Sequence, residues 1–532
     1  MTFASPFSDV LIPDVSVYEY LFGSLRPDEL DHEAVVDGIT DEVTTYRTLV
    51  EQVQGIAGAL SARGVGVGDV VALHLPNLPV FVSIFHGILR SGATATTINV
   101  LNTSDDICSQ IEDSGATLVF TMSALLAPAM AGAAAAGLGA DQVIVVDGSA
   151  DHTSLNDLLA MRAPAPVVAI DPATHLAVLP YSSGTTARPK GVMLTHRNLV
   201  ANVAQSAPLI GVVQSDRLLA VLPFFHIYGM TVLLNLAVFR RATLVTMPKF
   251  ELANFLRIVQ DNSCTYVFIA PPIALALAKH PLIDSYNLSS VHTVFSGAAP
   301  LDGGIAKSLA DRLDCRVRQG YGMTEMSPVS HVIPLEDDHA PLSSVGVTLP
   351  NIQCKLVDPM TGQEIDRPSF GVSEPGELLC KGPNIMLGYL GNSEATAETF
   401  DSDGFLRTGD IATLSSEGYV TVVDRLKELI KYKGYQVAPA ELEAMLVSHP
   451  LIADAAVVAG YDVDGEEVPK AFVVIQTGAQ LSELAIMKFV AERVAPHKKI
   501  RQITIIDSIP KSSSGKILRK DLRMLRGNPI ET

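Results

Sequence analysis

Tyr181-Ser182-Ser183-Gly184-Thr185-Thr186-Ala187-Arg188-Pro189-Lys190-Gly191, directly behind the apolar run Leu176–Leu179, is the stretch from which the fold can be read. Small hydroxyl side chains and a glycine let a flexible loop come close to an oligophosphate. Backbone amides, hydroxyls and the Lys190 ammonium supply donors and positive charge. An apolar strand ending in such a loop points to nucleotide-handling chemistry. The Walker spacing G-x-x-x-x-G-K-[ST] is absent, because Lys190 lies six residues after Gly184 and follows Pro189. The lysine therefore belongs to another phosphate-binding design.

Outward from this loop, a chain of 532 residues exceeds one ordinary core, so two or more domains are expected. With 48% hydrophobic and 18% charged residues it reads as a large globular protein. A net charge of −19 excludes nonspecific nucleic-acid binding, since a phosphate backbone would be repelled. Anionic ligands must then be met by locally placed cations. The N-terminal residues lack a basic segment followed by an apolar one, so an intracellular, cytoplasmic location is expected. The apolar stretch Ala124–Leu138 is short for a membrane span and is soon followed by Asp141. Five cysteines, Cys108, Cys264, Cys315, Cys354 and Cys380, form no CxxC pair and read as reduced, mostly buried small hydrophobes. Sequons at Asn102 and Asn287 are read as chance matches. Gly64–Asp69 does not satisfy G-x-G-x-x-G, and hydrolase (G-x-S-x-G) and zinc (H-E-x-x-H) motifs are absent.

To about residue 350, near-continuous apolar runs (Val70–Leu75, Thr117–Thr121, Gln142–Val146, Leu218–Leu222, Ala242–Met247, Tyr266–Ala270, Thr293–Phe295) alternate with helix-like stretches such as Tyr46–Arg63, Leu252–Asn262 and Gly304–Leu313. That alternation predicts an α/β fold with doubly wound parallel sheets. Short β segments with turns over Gly346–Val423 predict a β-rich subdomain. The last hundred residues predict a small α+β domain: helix Pro439–Ser448, strands Ala453–Val458 and Ala471–Ile475, helix Leu481–Val494 and strand Ile503–Ile506. The expected division is a large domain over 1–424, a hinge at 425–427 and a mobile C-terminal domain over 428–532.

Four further segments accompany the opening loop: Pro223-Phe224-Phe225-His226-Ile227-Tyr228-Gly229, Gln319-Gly320-Tyr321-Gly322-Met323-Thr324-Glu325, Leu406-Arg407-Thr408-Gly409-Asp410 and Pro510-Lys511-Ser512-Ser513-Ser514-Gly515-Lys516. In this order and spacing the chain resembles, over nearly its whole length, the adenylate-forming (AMP-binding) superfamily of acyl-CoA synthetases, luciferases and peptide-synthetase adenylation domains. The segment Asp424–Glu441, DRLKELIKYKGYQVAPAE, and the box Gly376–Gly382 are most similar to the 4-coumarate CoA ligase and luciferase branch.

The resemblance implies two half-reactions. A carboxylate attacks the α-phosphate of ATP, giving an acyl adenylate and pyrophosphate; a thiol, coenzyme A, then takes the acyl group as AMP leaves. Positioning and electrostatics supply most of such catalysis. Residues matching the family's nucleotide positions are Ser182, Ser183, Gly184, Thr185, Thr186 and Lys190 at the phosphates, with Thr186 and Glu325 associated with Mg²⁺. Around the adenosine they are Ala298, Gln319, Gly320, Tyr321 and Thr324, with Asp410 and Arg425 at the ribose. Tyr321 offers a stacking ring, and Asp410 can accept both ribose hydroxyl protons. Lys516 matches the lysine that bridges carboxylate and α-phosphate. Rotation at Lys427 would withdraw it, bringing Lys431 and Gln436 to AMP and Lys249, Lys433 and Gly434 to coenzyme A. His226, Tyr228, Val232, Ala298, Gly320, Thr324 and Val332 match the acid pocket.

Amino-acid-activating relatives carry an aspartate where His226 stands, so a substrate ammonium would be buried uncompensated here. Two departures bear on the reading. Ala187 replaces a frequent glycine in the loop, and Val232 replaces a serine frequent in hydroxycinnamate-activating relatives. Val232 thereby removes one polar partner for a phenolic hydroxyl, which points to a less polar acid such as cinnamate or an aliphatic chain. The resemblance as a whole implies an aromatic acid, of the cinnamate or coumarate type, or a medium-to-long-chain fatty acid. Alternatives are loading of a carrier-protein pantetheine, a luciferase-like oxygenase, whose C-terminal peroxisomal signal is absent from Ile530-Glu531-Thr532, and a noncatalytic nucleotide or acyl-binding protein. A monomer or homodimer is expected.

Overall fold

The computed structural model describes residues 2–149, 151–182, 189–433, 435–462, 465–512 and 515–525, with the backbone alone at 435 and 436. Ser183, Gly184, Thr185, Thr186, Ala187 and Gly434, and the side chain of Gln436, lie outside what is described.

The expected alternation folds into two large sheets of mainly parallel strands. In the first, the spatial order is Gly388–Tyr389, Lys190–Thr195, Leu176–Ser182, Thr94–Thr97, Val70–Leu73, Ala116–Thr121 and Val143–Val145. The two strands at the Gly388 edge are antiparallel additions to a parallel core. The second sheet has nine strands, with Arg316–Gly322, Thr293–Ser296, Tyr266–Ile269, Arg217–Ala220, Thr243–Thr246 and Glu33–Asp37 as its parallel centre. Both cores read as apolar runs because helices cover their faces.

Local chemistry explains the helices. Thr45 accepts the Thr48 N–H to cap the helix Tyr46–Ala62, whose Leu49, Val53, Ile56 and Leu60 share one buried stripe. Proline at the start of Pro79–Ser91 and Gly92 at φ 88° beyond its end mark that helix's limits.

Gln353–Val357, Gly376–Lys381, Leu406–Leu414 and Val420–Arg425 pair antiparallel in the expected β-rich sheet, joined at its edge by Phe3–Ala4. The last strand continues through Asp424 and Arg425, beyond the expected end at Val423, because Arg425 pairs with Asp410. The small C-terminal domain contains the antiparallel pair Ile452–Tyr461 and Glu467–Ile475, the parallel strand Gln502–Ile505, and helices Pro439–Val447 and Glu483–Ala491. Its core, with Ile430, Leu442, Val457 and Val473, packs against Leu275 and Ile305 of the large domain.

Among the described residues no helix is long and apolar enough to cross a membrane; Ala124–Leu138 contains a short 3₁₀ turn and the helix Leu126–Ala135. All five cysteines are free thiols, and Cys354 and Cys380 touch at 3.4 Å across paired strands.

Candidate functional site

Several of the motifs lie at the carboxyl ends of strands in the two large sheets, where α/β sheets bind ligands, whereas Asp410 lies within an antiparallel strand of the β-rich sheet. Leu176–Ser182 leads into the phosphate loop, Arg217–Ala220 into Pro223–Tyr228, Thr243–Thr246 toward Lys249, and Thr293–Ser296 into Gly297–Pro300. Arg316–Gly322 leads to Thr324 and Glu325. Ser182 and Lys190 are direct cross-strand partners at the mouth of the phosphate loop.

The segment carrying His226 is clamped from the neighbouring sheet. Asn77 Nδ2 donates to the carbonyls of Ala220 (2.7 Å) and Leu222 (2.8 Å), and its Oδ1 accepts the Phe224 N–H at 2.7 Å. Thr97 Oγ1 donates to the Phe225 carbonyl at 2.7 Å. Burial, and then the charge of Lys516, push His226 down to about 3, so its imidazole is neutral near pH 7.

Among the residues expected at the adenosine, Tyr321 donates its hydroxyl to Asp410 Oδ2 at 2.5 Å, and Arg425 Nε lies 3.2 Å from Asp410 Oδ1. Burial first, then the Asp410 charge, hold the Tyr321 phenol well above its usual range. Each carboxylate oxygen of Asp410 retains a further lone pair, so ribose hydroxyls can still be accepted. Ala298, expected near the adenosine, adopts φ 71°, a left-handed conformation unusual for a residue with a Cβ. The Gln319 amide points away from such a role, donating to the carbonyls of Leu301 and Leu342 and accepting the Leu301 N–H. It braces the turn at Leu301, leaving the main chain of Gln319 for any nucleotide contact.

Glu325 is buried and accepts the Tyr389 hydroxyl through Oε1 at 2.9 Å. Lys190 Nζ sits over the ring of the same tyrosine, 4.8 Å from its centre. Among the described residues Glu325 forms no ion pair. A buried carboxylate without a cation suits Mg²⁺, which is bound through one or two carboxylates together with nucleotide phosphates.

From the small domain, Lys516 comes near enough to this cluster for Arg425, Asp410 and Glu325 to act on its charge. Gly515, at φ 82°, lies against the large domain, and a Cβ there would stand 3.2 Å from the Ala270 Cβ. Gly515 N–H donates to the Ser512 carbonyl, and Ser512 N–H donates to that of Lys516. Desolvation foremost, then Arg425, lower the Lys516 ammonium from its ordinary range, while Asp410 and Glu325 act in the opposite direction. Lys516 therefore shares its electrostatic environment with His226, Glu325, Asp410 and Arg425.

The remaining basic candidates stand elsewhere. Lys431 is exposed on the hairpin strand Ile430–Tyr432, its N–H donating to Glu467 at 2.7 Å. Lys433, at φ 48°, is exposed with its ammonium over Tyr432, and Lys249 is exposed after its strand. Among the described residues none of these three forms an ion pair with the Asp410 cluster. Lys427 occupies the exposed turn after Arg425.

Of the residues expected to line the acid pocket, Tyr228, Val232 and Val332 are buried, and Val332 pairs with Gly320 across strands. Thr324 opens the 3₁₀ turn that carries Glu325. Val232 belongs to a π-helical segment, Gly229–Asn235, a widened turn often found at functional sites. The Tyr228 ring lies against Gly297, where a Cβ would stand 2.9 Å from Cε1. Its hydroxyl is buried and finds no hydrogen-bond partner among the described residues.

Two residues at this site carry no signal in the sequence: Tyr389, whose contacts with Lys190 and Glu325 arise from distant segments, and Asn77, which follows a strand of the other sheet.

Comparison with known proteins identifies the family. The family model described as AMP-binding enzyme matches residues 26–390, and that of the AMP-binding enzyme C-terminal domain matches residues 441–516. A 4-coumarate–CoA ligase of Oryza sativa subsp. japonica is 41% identical over 98% of this chain and 96% of its own. ATP-bound MatB from Rhodopseudomonas palustris superposes with a TM-score of 0.86 at 27% identity, covering 96% of this chain and 98% of that one. A benzoate CoA ligase from Burkholderia xenovorans LB400 gives 0.86 at 25% identity, over 96% and 100%. The chain belongs to the AMP-binding, adenylate-forming family of acid–CoA ligases.

Proposed function

We propose that the protein is an AMP-forming ligase that joins an aromatic carboxylic acid of the cinnamate or coumarate type to coenzyme A. The placement of Lys516 among Asp410, Glu325, Arg425 and His226 carries this reading, because it aims a cation from the small domain at the junction of ribose, phosphate and acid. In the first half-reaction the acid's carboxylate displaces pyrophosphate from the α-phosphate, with Lys516 between them. Lys190 and the loop from Ser182 hold the departing phosphates. Glu325 and Thr186 would hold Mg²⁺, which neutralises charge on the pyrophosphate. Asp410 and Arg425 hold the ribose, and Tyr321 the base. His226, kept neutral, closes the pocket as a hydrogen-bonding wall rather than as a proton carrier.

In the second half-reaction the 428–532 domain turns about 425–427 relative to 1–424, hinged at Lys427. Lys516 leaves, Lys431 and Gln436 meet AMP, and Lys249, Lys433 and Gly434 receive coenzyme A. The exposed position of Lys431 and Lys433 supports this, since both are available to a second arrangement.

An aromatic acid carrying a polar group is favoured over a fatty acid by the buried Tyr228 hydroxyl, which has no partner among the described residues. The branch of the relatives points the same way. AMP release is measured with ATP, Mg²⁺ and coenzyme A over hydroxycinnamic, cinnamic, benzoic and fatty acids. Highest kcat/KM for a hydroxylated aromatic acid supports the reading, and preference for a long-chain fatty acid refutes it. Substituting a carrier-protein pantetheine for coenzyme A distinguishes the acceptors.

A further inference from the structure

Residues 383–390 run between the two candidate polyphosphate motifs and are tied to both. Met386 N–H donates to the Glu325 carbonyl at 2.9 Å, and Asn384 Nδ2 donates to the carbonyl of Met326 at 2.7 Å. On the other side Leu390 N–H donates to the Gly191 carbonyl at 2.9 Å, and Gly388–Tyr389 pairs antiparallel with Met193 and Val192. Asn198 fastens the segment further, its Nδ2 donating to the carbonyls of Pro383 and Ile385 at 2.8 and 2.9 Å.

Tyr389 lies where these ties cross. Its N–H donates to Thr396 Oγ1 at 2.9 Å, fixing the backbone, and its side chain is buried. The two ends of that side chain serve different partners. The hydroxyl donates to Glu325 Oε1 at 2.9 Å, and the ring face underlies Lys190 Nζ at 4.8 Å. An aromatic face attracts an ammonium without neutralising it, and a phenol donor restrains a carboxylate without adding charge. Both groups are thus held in place without a direct ion pair between them among the described residues. A direct Lys190–Glu325 ion pair would instead cancel both charges.

We propose that Tyr389 is a positioning residue for the polyphosphate and its metal, its ring seating Lys190 and its hydroxyl orienting Glu325. The proposal rests on the reading that Lys190 serves the phosphates and Glu325 the metal.

The chemistry separates under substitution. Tyr389→Phe keeps the seat and removes the tether, whereas Tyr389→Leu removes both. Two quantities are read by calorimetry on the full chain without acid or coenzyme A: ATP affinity in EDTA, and the Mg²⁺ concentration giving half-maximal tightening of ATP binding. Tyr389→Phe is expected to leave the first unchanged and raise the second about tenfold, the effect of one hydrogen bond to a charged group. Tyr389→Leu is expected to weaken the EDTA affinity as well, about threefold. An unchanged or lowered Mg²⁺ midpoint in Tyr389→Phe, or an equal loss of both quantities in that variant, overturns the proposal. Lys190→Ala and Glu325→Gln serve as references. If Lys190→Ala leaves the EDTA affinity intact and Glu325→Gln leaves the Mg²⁺ midpoint intact, the underlying assignment fails. If both references shift and Tyr389→Phe does not, the positioning role alone fails.

Discussion

Asp424 Oδ2 accepts the Ala440 N–H at 2.9 Å, so a carboxylate on the last strand of the β-rich sheet caps the first turn of a small-domain helix. Its other oxygen accepts the Arg425 N–H at 2.7 Å. Burial foremost raises this acid to about 6, against the opposing pull of both hydrogen bonds and of Arg519. A folded-state value above the unfolded one means that the native protein binds the extra proton. The resulting stability is present in full below about 4 and is lost as pH rises through 6. At pH 5 it is worth about 1 kcal/mol relative to pH 7. The stability difference between wild type and Asp424→Asn, from denaturant melts, should move in favour of wild type by that amount between pH 7 and 5.

Removing the charge of Asp410 deprives Arg425 of its partner and Tyr321 of a charged acceptor. Asp410→Asn should raise the KM for ATP about tenfold or more, as expected for hydrogen bonds to an ionised group. The KM for coenzyme A should change little, which steady-state kinetics with each substrate varied will show.

Lys516→Ala should reduce adenylation at least about a hundredfold, the scale of losing one preorganised charge at a transition state. Thioester formation from a supplied acyl adenylate should survive. Lys431→Ala should show the opposite pattern. Single-turnover assays of each half-reaction separate them.

Tyr228→Phe deletes only the hydroxyl that lacks a partner among the described residues. It should lower kcat/KM for a hydroxylated cinnamate about tenfold while leaving unsubstituted cinnamate nearly unchanged, because only the former has a hydrogen bond to lose. Competition between the two acids reads the ratio directly.

His226 is held at about 3 by burial and by Lys516, so it does not titrate in the working range. The pH profile of kcat/KM above pH 5 should keep its shape in His226→Asn even where its height falls. Loss of an acidic limb in that variant would show that the imidazole carries a proton.

Local chemistry made much of the fold legible. The apolar runs became strands and the amphipathic stretches helices because their periodicity buries the faces that each element turns to the core. The loops at strand ends could be recognised because glycine, hydroxyl and lysine residues there have few other uses. What depends on contacts between distant segments was hidden. Phe3–Ala4 joins the β-rich sheet at its edge through Gln353 and Cys354, and two residues carry no periodicity. Tyr389 reaches Glu325 from 64 positions away. Gln319 stood in a nucleotide motif, yet its amide braces the turn at Leu301. The last strand runs through Asp424 and Arg425 because Arg425 pairs with Asp410, a register that neither segment shows alone.

Acid-dependent exchange of labelled pyrophosphate into ATP, measured without coenzyme A and followed by its addition, is the sharpest check on the proposed reaction. Adenylation before thiol transfer predicts exchange with a hydroxycinnamic or related aromatic acid and Mg²⁺, and after coenzyme A is added, equal amounts of AMP and acyl-CoA. Absence of exchange with every acid tried, or release of ADP in place of AMP, would contradict it.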